Sequence, residues 1–169
     1  MPKTYLDALV EFPVKVLDRI GNDKTVVSLL TDNPDIDMDG DEANDIFGKN
    51  LFDYGYVDGT QIDSSAYICV EAEMPRISTV TMQNIVLYVT VICHKNYMKL
   101  DPKKFPGLSG NRRENLSRYV DKLLNCSNFL GIGRISLSSI RTIPTPSGFS
   151  GRELIYTIPE FKTKPEQIF

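Results

Sequence analysis

The chain has 169 residues, of which 41% are hydrophobic and 24% charged, and its net charge is only −3. Those values are ordinary for a globular protein and set aside collagen-like, low-complexity and highly charged disordered chains. The longest strongly apolar run, Ile85 to Cys93, contains Tyr88 and Thr90 and is far shorter than the roughly 20 residues that cross a bilayer, so no membrane partner is expected.

At the N-terminus, Asp7 and Glu11 fall where a secretory signal carries an unbroken apolar region, so synthesis in the cytoplasm is the expectation. Leu6, Leu9, Val10, Val14 and Leu17 recur at helical spacing and predict a helix over 4–20 with one apolar stripe. Thr4 and Asp7 stand in capping-box positions. Pro13 cannot donate to Leu9, which predicts a kink or two joined helices, and Gly21 is a stop. Asp23 is placed to cap a short second helix carrying Val26, Val27, Leu29 and Leu30.

From residue 31 to 66 the periodicity fails, and an acidic loop is expected. Its aromatics, Phe47, Phe52, Tyr54 and Tyr56, predict that the second half docks on something. Strands follow over 67–72 and 84–94. In the second, Ile85, Leu87, Val89, Val91 and Cys93 form one wholly apolar face. The polar stretch 76–83 between them suits an antiparallel hairpin or a long β-arm. Pro102, Pro106, Gly107 and Gly110 mark a loop. Asn111 then caps an amphipathic helix whose stripe is Leu116, Tyr119, Val120, Leu123 and Leu124, with Arg112, Arg113, Arg118, Asp121 and Lys122 mostly on the other face. Strands over 134–143 and 151–158 close the order, and an extended tail is expected over 162–169. Hairpin strands with helices set apart give a single α+β domain over 1–169: a mostly antiparallel sheet, with the long amphipathic helix and the N-terminal helix packed on one face.

Charge is segregated along the chain. Between Thr31 and Glu73 stand twelve acids against one base, Lys49; from Met74 onward fourteen bases stand against six acids. A chain so divided can pair its acidic part with a basic part, its own or a neighbour's. The interface candidates are Arg76, Arg112, Arg113, Arg118, Arg134 and Arg152. Lys95, Lys99, Lys103 and Lys104, with Tyr97 and Phe105 between them, add a basic rim but match no nucleic-acid module.

Chemistry-bearing motifs are few. Asp35, Asp37, Asp39, Gly40 and Asp41 fill the first positions of an EF-hand loop, but Ile46 stands where the bidentate Glu belongs, leaving a weak calcium candidate. Cys69, Cys93 and Cys126 are widely spaced without a C-x-x-C, and are expected as buried reduced thiols. His94 has no nucleophile or orienting group nominated beside it. Gly131-Ile132-Gly133-Arg134 opens a strand, not a helix, and so lacks what cradles phosphate. No cofactor is expected, and a binding or assembly role is expected rather than an enzyme.

The stretch 67–161 resembles the tail terminator (tail completion) proteins at the neck of long-tailed bacteriophages. The likeness rests on element order, on Ala66-Tyr67-Ile68-Cys69-Val70 leading into the strands, and on the helix of Asn111 to Asn125. It rests also on the closing pair carrying Gly131-Ile132-Gly133-Arg134-Ile135 and Gly148-Phe149-Ser150-Gly151-Arg152-Glu153-Leu154. The resemblance implies a virion protein forming a hexameric ring that caps the tail tube and meets the head-side connector, with DNA passing through its lumen unbound. The acidic loop is longer than that pattern has. Another neck ring (head-completion, connector or sheath adaptor) and a monomeric cytoplasmic adaptor using the loop for a basic partner therefore stay open.

Overall fold

A computed structural model of the chain describes residues 5–55, 63, 65–75, 77–79 and 82–161. Its helices are α1 (Tyr5–Gly21), α2 (Lys24–Thr31), α3 (Asp41–Asn44) and α4 (Arg112–Leu124). Its strands are β1 (Leu51–Phe52), β2 (Ala66–Glu73), β3 (Ile77–Thr79), β4 (Met82–His94), β5 (Ser136–Ile143) and β6 (Phe149–Phe161). Thr4, Tyr56, Arg76 and the expected tail 162–169 lie outside the described residues.

The strand with the strongest apolar alternation is the middle of the sheet. Ile85, Leu87, Val89, Val91 and Cys93 of β4 are all fully buried, as their spacing predicts. β2 and β6 flank β4 antiparallel, with Val70 and Leu154 both opposite Val89. β5 pairs antiparallel with the far side of β6, and the two-residue β1 pairs parallel with β2, giving the order β1-β2-β4-β6-β5. β3 pairs with the start of β4, so β2 and β3 run along the same side of that strand, β2 ending at Glu73. The expected hairpin is therefore present. The fold is α+β with a mostly antiparallel sheet.

The helices line one side of it. Ala8, Phe12, Val16 and Ile20 of α1, Val26, Leu29 and Leu30 of α2, and Leu116, Val120 and Leu124 of α4 join the inner-face residues of β2, β4 and β6 in one continuous core. Asp23 caps α2 by accepting from the Val26 amide at 2.9 Å, and Asn111 caps α4 by accepting from the Glu114 amide at 3.0 Å. Both caps match the sequence.

Two expectations are corrected here. α1 runs unbroken through Pro13, and of the stripe assigned to the core only Leu17 is buried, with Leu9 half-buried. Leu6 and Val10 are 73% and 70% exposed and Val14 is 42% exposed, while Phe12, Val16 and Ile20 face the core. Nor is the acidic segment a bare loop. Ile36, Ala43, Ile46 and Leu51 are buried, α3 and β1 form within it, and Asn50 donates to the Ala66 carbonyl at 2.8 Å. Its aromatics dock only in part. Phe52 is buried with Tyr67, Cys69 and Ile92 on the outer face of the sheet, and Tyr54 tilts against Phe52 at 5.2 Å, but Phe47 and Tyr54 remain exposed.

Candidate interaction surface

Charge from the acidic and basic halves meets first inside the molecule. α2 ends at Asp32, whose left-handed backbone (φ 58°) turns the chain sharply; Asp is among the few residues that tolerate this conformation. That turn sets the Asp32 carboxylate against Arg112 and Lys104. Arg112 is the first residue of α4, yet only 2% exposed. Its Nη2 donates to Asp32 Oδ1 at 2.5 Å, its Nη1 to the Leu29 carbonyl at 2.5 Å and its Nε to the Tyr97 carbonyl at 2.8 Å. The guanidinium stacks 4.0 Å from the Tyr97 ring centre, and the Tyr97 hydroxyl donates to the Leu30 carbonyl at 3.0 Å. The last carbonyls of a helix lack internal partners and carry partial negative charge. Arg112 and Tyr97 supply those partners to α2 from 67 to 83 residues away. Arg112 is thus withdrawn from the set of surface interface candidates, because burial with three acceptors leaves it no free donor face.

A second cluster joins α4 to the closing strands. Glu114 accepts from Arg113 Nε at 3.0 Å and from Arg152 Nη2 at 2.7 Å. Arg113 also reaches Ser150 Oγ at 2.5 Å. These two arginines are largely committed within the fold. Arg118 and Arg134 are exposed. Arg118 donates to Asn115 Oδ1 at 2.9 Å and lies over the Tyr119 ring. A groove of about 260 Å³ runs between α4 and the sheet edge, lined by Glu114, Ser117, Arg118, Asp121, Ile140, Arg152 and Leu154.

Both carboxylates titrate in a defined direction. Burial by itself raises the pKa of Asp32, but the hydrogen bonds and charges of Lys104 and Arg112 outweigh it and hold the group below its ordinary value of 3.8. Glu114 is likewise held below 4.5 by Arg152 and Arg113, against an opposing effect of burial. A depressed carboxyl pKa contributes stability that is present above the unfolded value and lost as pH falls through the folded one. Stability is therefore expected to fall as pH drops below about 4.5. Asp32→Asn and Glu114→Gln should each flatten that acid limb in urea-denaturation midpoints measured from pH 6 to pH 2. An acid limb unchanged in both variants would count against these pairings.

The remaining candidates are placed plainly. The Asp37 side chain accepts from the Asp39 amide at 3.1 Å, as in a local turn, and Ile46, the residue in the bidentate position, is a core anchor. Among the described residues no three His, Cys, Asp or Glu side chains are grouped to hold a metal. Asp35, Asp37, Asp39 and Asp41 are exposed around a loop pinned from below. Cys69 and Cys93 are buried and burial pushes their thiols up to about 12 and about 11, but Cys126 is exposed, contrary to expectation. It follows the end of α4 with φ 63°, where the chain turns back. His94 Nδ1 accepts from the Asn96 amide at 3.2 Å, and its ring stands edge-on to Phe149 at 4.9 Å. A Cβ at Gly148 would lie 3.2 Å from His94 Nε2, which with φ 93° accounts for glycine there. Asn128 Oδ1 accepts from the Gly133 amide at 3.2 Å, so the 131–134 segment is a turn.

Sequence reading missed the Asp32–Arg112–Tyr97 contact. A usable signal was present: Arg112 and Arg113 sit in the first turn of α4, the end of a helix that disfavours positive charge. A base placed there has a partner elsewhere.

What the sequence forms is an α+β fold: a sheet covered by helices on one side, with Arg112 tying α4 to α2 and Glu114 tying α4 to β6. The family model YomW matches residues 23–158, from α2 to near the end of β6, and the chain belongs to the YomW family. The family's name derives from a phage genome and points to phage origin. No curated protein matches the chain.

Proposed function

We propose that the chain is a structural protein of a phage particle: a tail-terminator-type subunit that closes into a ring, six copies in the resemblance, at the head-proximal end of the tail. In that position the ring caps the tail tube, offers its other face to the head-side connector, and lets DNA pass without specific binding. The observation that carries the reading is the pairing of element order with charge placement. The leading helix, two long strands, α4 and closing strand pair follow the order on which the resemblance rests, and internal contacts hold Arg112, Arg113 and Arg152 but leave Arg118, Arg134 and the carboxylates of 35–45 at the surface. Free charge of both signs on separate parts of one subunit favours contact between unlike surfaces of neighbouring copies.

Light scattering after size exclusion, with negative-stain images of the same peak and of tail tubes mixed with the protein, tests this. A ring alone or at tube ends is the expected result. A protein that stays monomeric and leaves the tubes bare overturns it. That outcome would favour the adaptor reading, for which the exposed Asp35, Asp39 and Asp41 on a firmly docked loop are the supporting observation.

A further inference from the structure

α1 presents apolar residues to solvent. Leu6, Val10 and Val14 recur every fourth residue and form a straight exposed ridge. Residues nine apart on a helix differ by about 180°, so Val10 points opposite to Arg19. Arg19 Nε donates to the Leu123 carbonyl at the end of α4 at 2.9 Å, and its guanidinium covers Phe129. The ridge therefore faces away from α4, at the β1–β2 side of the helical layer. On its solvent flank, within about 100° of Val10, stand Asp7, Glu11 and Asp18, of which Glu11 pairs with Lys15 one turn on.

At the opposite edge of the same layer lies the groove between α4 and β5. Its floor is apolar: Leu154 is buried and Ile140 is 53% exposed on the edge strand. Arg118 and Arg152 stand on its rim. Arg152 is itself held by Glu114, which Arg113 shares, and Asp121 accepts from the Tyr156 hydroxyl at 3.2 Å, so Arg118 is the rim cation that no described acid pairs. The groove thus offers an apolar floor with the Arg118 cation on its rim, where the α1 ridge offers an apolar crest and a flank of three acids against one base, Lys15.

We infer that the Leu6/Val10/Val14 ridge of one copy docks in the α4–β5 groove of a second copy. This is helix-in-groove recognition with anchors at i, i+4 and i+8. Because ridge and groove lie on opposite edges of one subunit, the contact is head to tail, and repetition closes a ring or runs on as a filament. A two-fold pairing of ridge with ridge is disfavoured, since it sets the acidic flanks Asp7, Glu11 and Asp18 against their own copies. The inference deepens the ring reading and rests on it for closure, but the pairwise contact is tested separately.

The test uses the full chain with Cys126→Ser, which removes the exposed thiol. One preparation carries Val10→Cys and another Ile140→Cys; each is oxidised alone, then the two are mixed and oxidised. Both positions are surface ones, and unchanged thermal melts would show that the fold is kept. A cross-linked dimer only in the mixture is expected. Val10→Asp should shift half-dissociation to at least about tenfold higher protein concentration, since loss of one buried apolar anchor is of that order. Charge exchange adds a second readout: Arg118→Glu should weaken assembly and Glu11→Arg in the partner should restore part of it. If the wild type forms rings but Val10→Asp forms them equally and no mixed cross-link appears, the docking is wrong and the ring reading stands. If the mixed cross-link forms in filaments or open dimers, the docking stands and the ring reading falls. Cross-links between two Val10→Cys copies alone, or a monomer at every concentration, overturn the docking.

Discussion

Replacing Arg112 with alanine is expected to lower unfolding stability by about 3–5 kcal/mol, from the loss of charged donors to two carbonyls and the void left by a fully buried side chain, Asp32 keeping Lys104 as a partner. Three acceptors lose the guanidinium at once: the Leu29 carbonyl, the Tyr97 carbonyl and the Asp32 carboxylate. Tyr97 also loses the cation stacked on its ring, and a side chain of large volume leaves a void among Tyr97, Phe105 and the end of α2. Arg112→Lys is not expected to rescue most of the loss, because a single ammonium cannot reproduce three differently directed bonds and a planar stack. Arg118→Ala, on the exposed turn of the same helix, should change stability by no more than about 0.5 kcal/mol. Urea-denaturation midpoints of the three variants settle the matter. Equal midpoints for Arg112→Ala and Arg118→Ala would mean that the contact between α2 and α4 does not form in solution.

How far the fold could be read in advance follows from what each segment had to choose between. β4 was legible because only one of its faces is wholly apolar, so the period of two left no ambiguity about which side is core. α4 was legible because Asn111 marks its start and charge marks its outer face. The segment 31–66 reads as an acidic loop whose aromatics predict docking of its second half, while its buried anchors, Ile36, Ala43, Ile46 and Leu51, are too widely spaced to show a period. Arg112 was read as surface because charge usually is. Only the tertiary placement of α2's bare carbonyls, far away in sequence, makes its burial favourable. The surface sites were least legible of all, since a groove between a helix and an edge strand leaves no motif in either.

The N-terminal helix is where two readings compete on equal terms, and it yields the second large prediction. Leu6, Val10, Val14 and Leu17 keep helical spacing, but so do Ala8, Phe12, Val16 and Ile20. Periodicity alone cannot rank two apolar stripes on one helix; what ranks them is which one meets the sheet. The structure gives that place to Phe12, fully buried in the core, and leaves Val10 70% exposed. Phe12→Ala is therefore expected to cost about 3–5 kcal/mol, the usual penalty for emptying a buried aromatic site. Val10→Ala removes little that the folded subunit buries, and alanine is the better helix former, so its effect on the subunit should stay within about 0.5 kcal/mol or be slightly stabilising. Were the other stripe the core one, the order would invert. Urea-denaturation midpoints at a dilution where copies are separate measure this difference without the contribution of assembly. Repeating them at high protein concentration adds a further distinction: Phe12→Ala should remain the costlier change to the subunit, whereas Val10→Ala should lose the extra stability that docking gives the wild type. A residue that is silent in the isolated subunit and costly in the assembled one is what an exposed ridge with a partner requires.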